Sequence, residues 1–285
     1  GKNVVAASQP LAAQAGLEMM RCGGNAVDGA LATAIASTVV EPCANGIGGD
    51  AFAIVHDGEK LHGLNGSGRS PALLTPESVD GKIPEVGWLP VTVPGAVSAW
   101  VALHERFGSV EFATLFEPAI AYATDGFLVS RQTAAGWKRG ADRYNHLQSW
   151  CDTFLIDGKT PQVGQLMKLP DHATTLNEIA TSKGESFYSG DLANQIDAAS
   201  QDGGGLIRAD DLASHTCEWV DPLSIDVGSA AFYELPPNGQ GIAALIALKM
   251  LLAADVDLSD CDDPRVMHMQ IEAMKRAFTD AYAFV

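Results

Sequence analysis

The run Ala26–Val40, AVDGALATAIASTVV, constrains this chain more than any other segment, because its spacing predicts a helix that is apolar or small on every side. Such a helix is buried on most of its sides, so other elements must cover it. Asn25 is the expected N-cap, Asp28 falls in the first turn, and Pro42 ends the run. Upstream, Pro10–Cys22 places Leu11, Ala15, Met19 and Cys22 at helical spacing, opens on a proline and stops at Gly23-Gly24. Small residues are frequent in the N-terminal third, as close packing of helices and strands requires.

Further along, Asp57-Gly58 separates two strand-like runs within Ala51–Asn65, a two-residue hairpin signal that implies an antiparallel sheet. Helices are expected at Gly95–Phe107, Phe112–Thr124, Leu192–Ser200, Gly241–Ala254 and Pro264–Ala283. The last keeps its stripe of Val266, Met269, Ile271, Met274 and Phe278 almost to the final residue, so the sequence reads as cut short. There is no internal repeat, heptad array or low-complexity segment.

Acidic residues outnumber basic ones 35 to 18, for a net charge of −17. A polyanion-binding surface needs clustered Lys and Arg, and the longest clusters are the dipeptides Lys138-Arg139 and Lys275-Arg276, which argues against nucleic acid as a partner. With 47% hydrophobic residues the chain is globular rather than disordered. Asp28, Glu41 and Asp50 interrupt the most apolar region, so no run of about 20 apolar residues is available to span a bilayer, and the chain reads as soluble. Gly1-Lys2-Asn3 has no leader-like charged region, although a leader already removed leaves no trace, so the compartment stays open. Cys22, Cys43, Cys151, Cys217 and Cys261 are far apart and odd in number, a pattern of unpaired thiols rather than disulfides or zinc ligands.

Motifs that carry chemistry elsewhere are in the wrong context here. Gly46–Ala51 fits a loose GxGxxG/A pattern, but a helix precedes it and a strand follows, the reverse of a dinucleotide site, so it reads as a tight bend before a central strand. Around Ser67, Asn65 and Arg69 stand where a serine-hydrolase elbow needs glycines. The seven histidines show no HExxH or HxH spacing, so no metal is expected. Asp210-Asp211 and Asp262-Asp263 fall at expected helix starts, where capping accounts for them. These residues assemble no complete catalytic constellation, and no cofactor is called for.

Several segments, in order, resemble the large subunit of the gamma-glutamyltranspeptidase family: SQPLAAQAGLEMMRCGGNAVDGALATAIASTVVEP (Ser8–Pro42), NGIGGDAFAIVHD (Asn45–Asp57), VTVPGAVSAW (Val91–Trp100), GESFYSGDLANQI (Gly184–Ile196), GGGLIRADDLA (Gly203–Ala213), DPLSI (Asp221–Ile225) and ELPPNGQGIAAL (Glu234–Leu245). The resemblance implies an α+β, N-terminal nucleophile hydrolase fold: a four-layer αββα sandwich of antiparallel sheets, completed by a small subunit that the precursor releases by cleaving itself. The nucleophile implied is the Thr exposed at the start of that small subunit, activated by its own α-amine, with backbone N–H groups for the oxyanion. Residues 1–285 are then the large-subunit portion of a single domain, cut short several tens of residues before the cleavage point, with no catalytic residue in this chain. The implied partners are the small subunit, a small-molecule substrate and, as a further assembly, a dimer of heterodimers.

One departure bears on the substrate. Transpeptidases of the family carry an Arg four residues before the proline equivalent to Pro71, where it grips the α-carboxylate of the γ-glutamyl group. Here that position is Ser67, and the nearby guanidinium is Arg69. In extended backbone a two-residue move keeps the side-chain face but shifts it about 6 to 7 Å. Arg69 and Ser67 are therefore the expected substrate-binding residues, with a structural ion pair as the competing role for Arg69. The resemblance leaves three readings: action on gamma-glutamyl compounds such as glutathione, a cephalosporin- or glutaryl-acylase type of amidase on the same fold, or a non-catalytic scaffold homologue.

Overall fold

In the computed structural model, which describes residues 1–79, 81–254, 260 and 262–285, the small apolar run forms helix α2 (Ala26–Val40), and Leu31, Ala32, Ile35, Ala36 and Val39 are fully or almost fully buried. Each of the buried Leu, Ile and Val side chains is worth about 1.5–3 kcal/mol when removed from water. The expected capping box is present: Asn25 Oδ1 accepts from the Val27 and Asp28 amides, and Asp28 accepts from the Asn25 amide at 2.8 Å. Helix α1 (Pro10–Arg21) lies against α2 at glycine distance, since a Cβ on Gly16 would stand 2.4 Å from the Gly29 carbonyl oxygen. Helix α3 (Ala96–Phe107) delivers the next tie. Asn25 Nδ2 donates to the Phe107 carbonyl at 2.6 Å, and the buried Asp28 carboxylate accepts from both the amide and the hydroxyl of Ser109.

The chain divides into two compact units, Gly1–Asp50 with Gly68–Thr216, and Ala51–Ser67 with Cys217–Val285. In the first, the helix expected at Phe112–Thr124 is a 3-10 turn (Phe112–Phe116) followed by α4 (Glu117–Asp125). Pro118 has no N–H to offer the preceding turn, which is why one helix becomes two pieces. A ribbon follows, β3 (Phe127–Leu128) antiparallel to β4 (Leu166–Met167). The helices α5 (Arg131–Tyr144), α6 (Gln148–Phe154), α7 (Pro170–Ser182) and α8 (Glu185–Ser189) were not foreseen, whereas α9 (Asp191–Asp202) and a helix start at Asp210-Asp211, which is α10 (Ala209–Ala213), were. In α5 only Thr133, Gly136 and Trp137 are buried, a stripe too sparse to show as periodicity. Asp210 and Asp211 occupy the first turn of α10, as capping predicts.

In the second unit, β1 (Phe52–His56) pairs antiparallel with β2 (Leu61–Asn65), which pairs with β5 (Glu218–Val220). The turn differs from expectation. His56 faces Leu61, leaving a four-residue loop in which Asp57 Oδ1 accepts from the Glu59 and Lys60 amides, so Asp57 starts a side-chain turn instead of a two-residue hairpin. The Lys60 amide, then His62, whose Nε2 lies 2.6 Å from Asp57 Oδ2, hold the Asp57 carboxyl well below the usual range. Among the described residues β1 is also an edge strand of its sheet, not the central strand anticipated. A second hairpin joins β6 (Leu223–Val227) to β7 (Ala230–Glu234). Helices α11 (Gly241–Ala253) and α12 (Pro264–Phe284) pack through Ala243, Ala247, Leu251, Ala273, Ala277 and Ala281. Asp263 is the N-cap of α12, again as capping predicts. Cys261 lies outside the described residues. No described helix is long and apolar enough to cross a membrane.

Candidate functional site

The two residues singled out by sequence, Ser67 and Arg69, are held by different partners. In the second unit, the Gly66 amide donates to the Ala51 carbonyl at 2.9 Å, adding a rung to the β1–β2 hairpin. Beyond it, Asn65, Ser67 and Asn238 close a polar ring. The Ser67 amide donates to Asn65 Oδ1 at 2.9 Å, Asn65 Nδ2 donates to Asn238 Oδ1 at 3.0 Å, and Asn238 Nδ2 donates to Ser67 Oγ at 2.8 Å. Asn238 comes from the PPNGQG segment, which explains why two distant motifs are needed to fix one serine. Among the described residues the Ser67 hydroxyl is bonded by Asn238 and by no general base, and no helix follows it, so it is not the nucleophile of a serine-hydrolase elbow. Its own proton remains available to donate.

In the first unit, Gly68 and Arg69 are clamped by Val93. The Val93 amide donates to the Arg69 carbonyl at 3.0 Å, and a Cβ on Gly68 would fall 1.6 Å from the Val93 carbonyl oxygen. Only glycine allows that approach. Immediately after Val93, the Pro94 carbonyl accepts from the Tyr188 hydroxyl at 2.8 Å, and the Gly95 and Ala96 amides donate to the Gly49 carbonyl at 2.9 and 3.0 Å. The Gly46–Asp50 bend thus offers a carbonyl to the start of α3 rather than amides to a phosphate.

A directed hydrogen-bond network fills the space next to this clamp. The Ser98 amide donates to Tyr188 Oη at 3.0 Å, Ser98 Oγ donates to the Gly95 carbonyl at 2.8 Å, and His215 Nε2 meets Ser98 Oγ at 2.9 Å. The His215 ring stacks on Tyr188, with centroids 5.4 Å apart and planes at 27°. Burial, and after it the Arg69 charge, holds His215 below the ordinary histidine range. An apolar cleft of about 750 Å3 shares Pro94 with this network and is lined among others by Ile47, Trp88, Val91, Phe187 and Ile207.

Ser98, Tyr188 and His215 were not identifiable from sequence. Tyr188 and Ser98 are 90 residues apart, and His215 and Ser98 are 117 apart, with no spacing rule to join them. Chemically the cluster offers an imidazole oriented by Ser98 and Tyr188, and Arg69 supplies a guanidinium, a group whose planar fork matches a carboxylate. Among the described residues no group of histidine, cysteine and carboxylate side chains is arranged to hold a metal ion.

Residues 12–285 match the sequence profile of the Gamma-glutamyltranspeptidase family. The chain is 34% identical to a glutathione hydrolase-like proenzyme of Bacillus subtilis, over 98% of this chain and 54% of that protein. It superposes on the crystal structure of cephalosporin acylase from Bacillus halodurans with a TM-score of 0.93 and 48% identity, covering 97% of this chain and 53% of the acylase. The Helicobacter pylori gamma-glutamyltranspeptidase superposes with the same TM-score of 0.93 at 29% identity, covering 99% of this chain and 84% of that one. The chain spans about half the length of the curated relatives it matches. Its fold is α+β with antiparallel sheets, that of the N-terminal nucleophile hydrolases, and the chain belongs to the gamma-glutamyltranspeptidase family.

Proposed function

We propose that this chain is the large-subunit portion, within a single domain, of a self-cleaving amide hydrolase and acyltransferase acting on gamma-glutamyl compounds such as glutathione. The observation that carries the reading is the family match over residues 12–285, joined to an arginine whose backbone is fixed by Val93. In the proposed reaction the Thr Oγ of the small subunit attacks the amide carbonyl, its proton passing through the α-amine to the departing amine. The resulting acyl ester is then opened by water or an acceptor amine. This chain supplies the wall that orients the acyl group: Arg69 binds its carboxylate, and the Ser67 hydroxyl donates a further hydrogen bond. The proposed partner is the small subunit, and two such heterodimers would pair in the further assembly.

A second reading, an acylase of the same fold with a different acyl group, is favoured by two observations. The Bacillus halodurans chain, 48% identical, is named a cephalosporin acylase, and Ser67 stands where transpeptidases carry their carboxylate-gripping Arg. Steady-state kinetics of the processed protein separate the two. We expect weak hydrolysis of a γ-glutamyl anilide, raised by Ser67→Arg, and a KM at least about tenfold higher in Arg69→Met with little change in melting temperature, as loss of a charge-assisted hydrogen bond predicts. Rapid glutaryl-anilide turnover without any γ-glutamyl turnover would establish the second reading. A large drop in melting temperature with unchanged kinetics would assign Arg69 to the fold.

A further inference from the structure

A pocket of about 330 Å3 lies on α5 in the first unit and shares no residue with the substrate contacts proposed above. Its floor exists because the helix carries two glycines one turn apart. A Cβ on Gly136 would stand 2.5 Å from Cys43 Sγ, and one on Gly140 would stand 3.3 Å from Trp150 Cζ2. The turn after α2 and the first turn of α6 therefore rest directly on the α5 backbone. Trp150 is positioned by its neighbours. Its ring centroid lies 6.1 Å from that of Tyr144 and 5.7 Å from that of Phe154, which meets the buried Trp137 edge-on at 6.0 Å. The result is an aromatic wall beside an open stretch of helix.

The rim is cationic. In a chain whose acidic residues outnumber its basic ones 35 to 18, α5 collects Arg131, Lys138, Arg139 and Arg143 against Asp142 alone. Arg139 and Arg143, one turn apart, both line the pocket, and among the described residues no carboxylate does. Arg143 Nη2 donates to Glu85 Oε2 at 3.2 Å, in an exposed and therefore weak pair. Arg139 forms no ion pair or hydrogen bond with any described residue, and its Nη2 lies 3.9 Å from the Cβ position of Gly136, which places the guanidinium over the floor. The acid closest in sequence to Cys43, Glu41, already accepts from Asn45 Nδ2 at 3.1 Å and from the Ser8 hydroxyl. Burial, and after it the Glu41 charge, push the Cys43 thiol up, so no thiolate neutralises Arg139. The geometry points to a binding site for a small aromatic carboxylate, whose acid group pairs with the Arg139 guanidinium and whose ring packs against Trp150 over the Gly136 and Gly140 floor. A guanidinium fork matches a carboxylate through two parallel hydrogen bonds, and the aromatic wall adds a preference for a ring over an aliphatic chain. The volume is near the lower end of the roughly 300–1,000 Å3 of ligand sites, which suits one ring with a short acidic arm. This site does not depend on the proposed function.

The test is titration calorimetry of the processed protein with phenylacetate, its neutral isostere phenylacetamide, acetate and inorganic phosphate. We expect phenylacetate to bind with a Kd of roughly 0.1–1 mM and the other three at least about tenfold more weakly. Arg139→Met should weaken phenylacetate about tenfold, to the level of the amide, with an unchanged melting temperature because the side chain holds no partner. Arg139→Lys, which keeps the charge and loses the fork, should still lose several-fold. Trp150→Leu should weaken phenylacetate by a similar factor and leave acetate as it was. Absence of phenylacetate binding at 10 mM, roughly tenfold above the weakest expected Kd, would overturn the proposal. So would binding no tighter than that of acetate or phosphate, or binding indifferent to both Arg139 variants. A loss in Arg69→Met in place of Arg139→Met would put the ligand in the proposed substrate site and overturn it equally.

Discussion

Gly68 shows how one residue without a side chain can set the place of its neighbour. With a would-be Cβ 1.6 Å from the Val93 carbonyl oxygen, Gly68→Ala must push the two backbones apart, and the Arg69 carbonyl loses the Val93 amide with them. We expect a loss of about 1–3 kcal/mol, seen as a lower melting temperature, together with a higher KM for carboxylate donors because Arg69 moves. An unchanged melting temperature would show that the clamp yields freely. At this scale the sequence was legible only in part. Arg69 was singled out by its offset from the family's arginine, and Ser67 by the gap that offset leaves; both stand as proposed substrate contacts. The contact of His215, Ser98 and Tyr188 was not legible, because each side chain becomes informative only through a neighbour far away along the chain, and a lone histidine in sequence has no signature. The polar ring of Asn65, Ser67 and Asn238 was hidden for the same reason.

At the scale of elements, what was legible is what is encoded locally. The start of α2 is written in Asn25 and Asp28, and both residues also bind the turn that leaves α3. Asn25→Ala should therefore cost more than an isolated cap, which is worth about 1 kcal/mol, because the Phe107 carbonyl loses its donor as well. Chemical denaturation checks this, and a change below a few tenths of a kcal/mol would mean that water replaces both bonds. Elements decided by tertiary contacts were less legible. Helix α5 buries one short stripe around Trp137, α7 only Leu176, Ile179 and Ala180, and neither gives a periodic signal strong enough to read. The β1–β2 loop was misread in length because Asp57 uses its side chain to make the turn, a choice the Asp-Gly pair alone does not reveal.

For the whole molecule, the second unit presents apolar surface on several elements. Phe52 and Ile54 of the edge strand β1 are 44% and 40% exposed, Phe232 of β7 is 46% exposed, and Ile271 of α12 is 57% exposed. Apolar edge strands invite pairing with another chain, and these surfaces fit the proposed companion subunit. The fold class was legible because seven ordered segments carry it, whereas the chemistry was not, since the proposed nucleophile belongs to a different polypeptide. Intact mass and N-terminal sequencing of the protein expressed from its whole reading frame test this directly. The account predicts two fragments, the smaller beginning with Thr, and no amide hydrolysis when that Thr is changed to Ala. A single uncut polypeptide that hydrolyses the substrate at full rate would contradict it.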